Sequence, residues 1–141
     1  MTRKGLVVMA YGTPRSPEEI EPYYTHIRRG RPPEPAQLAD LTARYDAIGG
    51  ISPLARLTEA QRSALETALE RLEPGEWTVV LGQKHAAPFI EDAVTSLADV
   101  GITNAVGLVL APHFSRTSVG EYQRRASEAG EPAGVGVAAI E

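Results

Sequence analysis

Apolar residues along this chain fall into two alternating patterns, short unbroken runs and longer amphipathic stretches. Gly5 to Ala10 (GLVVMA), Trp77 to Gly82 (WTVVLG) and Ala105 to Ala111 (AVGLVLA) are continuous runs, and Val135 to Ile140 is a weaker one. Runs this short and this apolar predict strands buried on both faces. The stretches between them carry helix signals. Ser16 predicts a cap, with Pro17 at the first helical position and Glu19 completing a capping box; Pro22 falls inside the same helix and should bend its first turns. Residues 30–35 (GRPPEP) form a stiff extended connection. From Ala36 to Ile48 the positions Leu38, Leu41, Tyr45 and Ile48 repeat at helical spacing, and Gly49-Gly50 supplies a left-handed stop. Thr58 and Gln61 predict another capping box ahead of Ala64, Leu65, Ala68, Leu69 and Leu72, with Pro74-Gly75 as the end. Pro88 opens a helix through Ala98 with Ile90, Ala93, Val94 and Leu97 facing inward, and a last helix runs from about Ser118 to Ala129.

Strands alternating with helices predict an α/β domain, a doubly wound parallel four-stranded sheet with helices on both faces. Such sheets bind ligands outside the carboxyl ends of their strands. That rule selects Tyr11-Gly12-Thr13-Pro14, Gln83-Lys84-His85 and Pro112-His113-Phe114-Ser115. Neither a Gly-x-Gly-x-x-Gly fingerprint nor a Walker phosphate loop is present, so the sequence lends nucleotide binding no support.

Composition narrows the choice. With 141 residues and 43% hydrophobic content the chain fits one domain. A net charge of -4 and a pI near 5.4 argue against a nucleic-acid partner held by counterion release. No apolar stretch reaches the roughly 20 residues of a membrane span, and the first residues lack a signal-peptide pattern. A soluble, cytoplasmic protein is expected. The absence of cysteine removes disulfides, thiolate nucleophiles and cysteine-held metal centres. Against this acidic background the run Tyr23-Tyr24-Thr25-His26-Ile27-Arg28-Arg29-Gly30 concentrates rings and guanidiniums, which suits a flat anionic ligand.

Each conspicuous residue also has an ordinary explanation. Arg28, Arg29 and Arg31 sit where a helix dipole favours cations. Arg44 stands four residues after Asp40 and can pair with it on the helix surface. Tyr45 lies on the apolar stripe, Tyr122 suits a half-buried helix position, and Ser52 suits a turn or cap. Tyr11 ends a buried strand at the ligand edge. His85 and His113, at neighbouring strand ends, form a weak metal signal without a carboxylate.

Taken in order, MAYGTP, YYTHIRRGRPPEP, ARYDAIGGISPL, KHAAPFIEDAV and LAPHFSRTSVGEY resemble the amino-terminal half of the ferrochelatases, most of all the coproporphyrin ferrochelatases of Gram-positive bacteria. The likeness spans essentially the whole chain. It implies a haem-biosynthesis lyase that inserts ferrous iron into coproporphyrin III, or protoporphyrin IX, with Fe2+ as substrate and no cofactor required. By resemblance Tyr11 approaches the metal of the product haem from one face. Arg28, Arg44, Tyr45, Ser52 and Tyr122 hold the macrocycle and its propionates, while Lys84 and His85 lie at the cleft, near metal or porphyrin entry. The family's metal-delivering histidine and its glutamate belong to a second, similar domain, so the catalytic pair is expected outside residues 1–141. The partners implied are porphyrin, ferrous iron and transient contacts with haem-pathway enzymes, with neither nucleic acid nor a membrane span. Three readings stay open: a fragment of a chelatase, a half-length chelatase acting as a homodimer, and a non-catalytic porphyrin-binding module. Oligomeric state has no signature in the sequence.

Overall fold

The structure is a computed structural model that describes residues 3–111 and 115–140. At its centre is β1 (Lys4–Ala10), flanked in parallel by β2 (Trp77–Gln83) and β3 (Asn104–Val109), with β4 (Gly136–Ala139) beyond β3. The strand order is β2-β1-β3-β4, all parallel. Because successive side chains of a strand point to opposite faces, the GLVVMA run feeds two cores at once. Val7 and Met9 face α4 (Ile90–Asp99) and α5 (Val119–Ala133), meeting Ile90, Val94, Leu97 and Ala126 in the larger cluster. Leu6 and Val8 face the other way, toward Leu65 and Leu69 of α3 (Leu54–Leu72). Each fully buried aliphatic side chain contributes about 1.5–3 kcal/mol. Gly5 admits Leu97 so closely that a Cβ there would lie 2.6 Å from its Cδ1.

The two faces are covered unequally. On the α3 side the helix lies against β2, and Val106, Leu108 and Leu110 of the β3 flank are only half-buried. The remaining helices, α1 (Ile20–Ile27) and α2 (Pro35–Ala47), stand at the carboxyl edge; α2 packs on α1 and has no buried residue.

Several local expectations need correction. Ser16 makes no side-chain cap; a short 3-10 turn over Pro17–Glu19 precedes α1, and the Glu19 carboxylate accepts from the Arg15 backbone N–H at 2.7 Å. Pro22 lies in the first turn of α1, where its missing N–H has no intrahelical partner to lose. Thr58 is no cap either. The helix starts earlier, at Leu54, because Ser52 Oγ accepts the Leu54 N–H at 3.2 Å and Ala55-Arg56-Leu57 are good helix formers. Pro88 precedes α4, since its carbonyl is taken by the Gln83 N–H at 2.7 Å. Helix α5 runs on to Ala133 and stops at Gly134, whose φ of 75° is left-handed.

Candidate functional site

Strand pairing continues past the formal end of β1 and sets the site. Lys84 N–H donates to Ala10 O at 2.9 Å and His85 N–H to Tyr11 O at 3.0 Å, so Tyr11 and His85 emerge side by side. Their rings meet edge-on with centroids 4.7 Å apart. His85 Nδ1 lies 2.9 Å from His26 Nδ1, and His26 stacks on Phe89 at 4.9 Å. Gly12, at φ 88°, turns the chain immediately after Tyr11; a Cβ there would press within 3.0 Å of Ala86. The Tyr11 ring remains 43% exposed at this edge.

Beside it two ion pairs fasten the second strand's loop to the helices. Lys84 Nζ reaches Glu121 at 2.9 Å and lies 5.5 Å above the Tyr122 ring. Arg125 grips Glu91 with Nε at 2.8 Å and Nη2 at 3.0 Å, and its Nη1 donates to Lys84 O at 3.0 Å. A cavity of about 630 Å³ opens between His26, Lys84, His85, Glu91, Glu121 and Arg125. Burial, then the neighbouring His26, Lys84 and Arg125, pushes the His85 imidazole down to about 4, against a weaker opposing pull from Glu121. The hydrogen bonds from Arg125 and Lys84 hold Glu91 and Glu121 below the usual carboxylate range. Near neutral pH the cavity therefore presents neutral His85 among paired charges. Among the described residues no group of three or more histidines and carboxylates is placed to hold a metal.

A second cavity, of about 620 Å³, lies at the start of α3 between Arg15, Ile48, Ile51, Ser52, Arg56 and Glu59. Its apolar side chains are open to solvent, Ile48 at 58% and Ile51 at 38% exposure.

The structure distributes the residues singled out from the sequence among these features. Lys84 and His85 line the first cavity, Tyr11 stands against the His85 ring, and Ser52 lines the second cavity while its hydroxyl accepts from the Leu54 backbone. Arg28 terminates α1, with its Cζ 5.9 Å from the Tyr24 ring and its Nε bonded to Arg31 O at 3.3 Å. Arg44 is exposed and pairs with Asp40 at 2.8 Å. Tyr45 is half-buried near Tyr23; burial first, then neighbouring phenols, raises the Tyr23 phenol above its ordinary value. Tyr122 is 4% exposed, a core residue under Lys84, with burial pushing its phenol up to about 12. His113 lies outside the described residues. Sequence reasoning did not single out Glu91, Glu121 and Arg125, whose pairings join distant segments, nor Arg15 and Arg56. His26 stood in the aromatic run, but nothing local to it announced a partner 59 residues away.

The Ferrochelatase family model matches residues 3–138. The chain is 54% identical over 138 residues to a coproporphyrin III ferrochelatase of Oceanobacillus iheyensis, covering 97% of this chain and 44% of that protein. It is 56% identical over 137 residues to that of Bacillus subtilis, at 95% and 44% coverage. With that of Halalkalibacterium halodurans it shares 58% over 131 residues, at 91% and 42%. The chain thus spans less than half the length of the curated relatives it matches.

Proposed function

The chain belongs to the ferrochelatase family, and from that premise we propose that it forms the porphyrin-binding wall of an enzyme inserting ferrous iron into coproporphyrin III. The observation that carries this reading is the identity of 54–58% with coproporphyrin III ferrochelatases over nearly all of the chain. The exposed Tyr11 ring at the carboxyl edge of the sheet supports it.

Insertion exchanges two pyrrole protons for one ferrous ion, so the site must seat a flat dianion-to-be and take protons away. Tyr11 presents its phenol to one face of the ring, where the iron of the product comes to lie. Arg28 and Arg44 bind propionates as charge-assisted forks. To do so Arg44 leaves Asp40, an exposed helix pair worth only a few tenths of a kcal/mol. Ser52 and Tyr45 add polar and aromatic contact, and Tyr122 supports the wall from beneath Lys84. His85, uncharged near neutral pH and joined to His26, stands with Lys84 at the cleft, near metal or porphyrin entry.

Cation delivery is assigned to residues beyond these 141, because the relatives are more than twice as long. The test is a titration of the purified chain with coproporphyrin III followed by its Soret band. A saturable shift is expected, with no metal insertion above the uncatalysed rate when ferrous or zinc ion is added. No shift would overturn the porphyrin reading. Multiple turnovers would overturn the assignment of delivery elsewhere.

A further inference from the structure

The cavity at the start of α3 holds two guanidinium groups that no role described so far uses. Arg15 stands just ahead of the 3-10 turn and Arg56 in the first turn of α3, and both are exposed. Neither side chain hydrogen-bonds or ion-pairs with another described residue. Other arginines nearby are occupied. Arg62 is held by Glu59 at 2.8 Å and by Glu66 at 3.0 Å. Glu59, an acid of the same cavity, has both oxygens gripped by Arg62 and feels the Arg15 charge only at longer range.

Two cations facing one cavity, neither hydrogen-bonded to its single carboxylate, repel each other, and the repulsion is relieved by a bound anion. The rest of the wall says what that anion is attached to. Ile48 and Ile51 are apolar and exposed, so they favour a ligand with a flat hydrophobic body, and Ser52 lines the same cavity. A free phosphate would leave that apolar surface unused. We propose that Arg15 and Arg56 form a carboxylate pocket that receives propionate groups from one edge of the macrocycle, a site additional to Arg28 and Arg44. This rests on the porphyrin reading and deepens it, because it makes the number of ligand carboxylates a determinant of affinity.

The experiment compares the 141-residue chain with Arg15→Ala, Arg56→Ala and the double variant, titrated with coproporphyrin III and with its tetramethyl ester. Circular dichroism and thermal melting confirm folding, and Arg15→Gln with Arg56→Gln provides a second, bulk-preserving pair. For coproporphyrin each single change is expected to raise Kd about tenfold, the double more than tenfold, with a weaker salt dependence than the parent. For the ester, parent and variants are expected to bind alike. Unchanged coproporphyrin binding by the double variant overturns the pocket and leaves the porphyrin reading standing. Equal losses for acid and ester overturn it too, because they assign the two side chains to shape rather than charge. A parent chain that binds neither compound overturns both.

Discussion

His26 and His85 face each other nitrogen to nitrogen, with 2.9 Å between the two Nδ1 atoms. One hydrogen occupies that gap, so one ring donates and the other accepts. The arrangement fixes the tautomers as a pair and leaves the Nε2 atoms for other partners. It also places an imidazole where Lys84 and Arg125 already supply positive charge, with Glu121 alone among the nearby groups favouring protonation.

Stability should therefore fall in mildly acidic solution. The folded His85 titrates at about 4, below the ordinary 6.5, so as pH drops the unfolded chain takes the proton first. Its contribution is complete above about 6.5 and is lost down to about 4, amounting to about 1 kcal/mol once solvent screening at a half-exposed site is allowed for. The depressed carboxylates Glu91 and Glu121 act in a lower window, from their ordinary 4.5 downward. Urea unfolding near neutrality and near pH 5 measures the difference. His85→Gln should flatten it, and an undiminished slope in that variant would assign the effect to another group.

Removing the Arg125 guanidinium should cost far more than removing an exposed partner. Its side chain is 16% exposed and ties Glu91 of α4 and the Lys84 carbonyl to α5. Arg125→Ala is expected to destabilise the fold by about 3 kcal/mol, because a partly buried carboxylate and a carbonyl both lose a donor. Arg124→Ala, which breaks an exposed pair with Glu128, should stay within about 0.5 kcal/mol. Denaturant midpoints compared at equal slope decide between them.

Gly130→Ala tests how tightly α5 returns to the sheet. A Cβ at that position would lie 2.1 Å from Val135 O, a backbone atom that cannot step aside. Alanine gains about 1 kcal/mol of helix propensity, yet the overlap should leave a net loss of about 2 kcal/mol. A raised melting temperature would show that the turn into β4 yields more easily than its geometry implies.

Tyr11→Phe separates ring contact from the phenol. On the reading that the phenol faces the iron of the product, metal-free coproporphyrin III should bind within about twofold of the parent. Iron coproporphyrin should bind about tenfold more weakly, a difference of about 1.4 kcal/mol. Parallel titrations by absorbance test this, and equal affinities for the iron form would remove the metal-facing role.

The sheet and its larger core were legible because their signals are local. GLVVMA is an unbroken apolar run, and Ile90, Ala93, Val94 and Leu97 repeat with helical period; all four are buried where that period puts them. Thr58 misled for a physical reason. A threonine three residues before a glutamine has the composition of a cap, but here it is a buried position inside a longer helix whose N-cap is Pro53, with Ser52 accepting the Leu54 N–H from just outside. The geometry of the candidate site was legible only where a residue is fixed by its own strand end, as Tyr11 and His85 are. Arg125 with Glu91 and His26 with His85 depend on how helices return to the sheet, which no short window of sequence encodes.

Helix α2 is bounded by residues of left-handed backbone, Arg29 and Gly30 before it and Gly49 and Gly50 after it, and it has no buried residue. Its tenure in the folded state is therefore set locally. Amide hydrogens of residues 35–47 should exchange with solvent through openings of their own, while those of β1 and α4 wait for the whole domain to unfold. Arg44 and Tyr45 ride on that segment, so a ligand that engages them must also still it. On the porphyrin reading proposed above, affinity for the macrocycle includes the entropy of arresting one helix, and deuterium uptake over 35–47 with and without ligand measures that arrest.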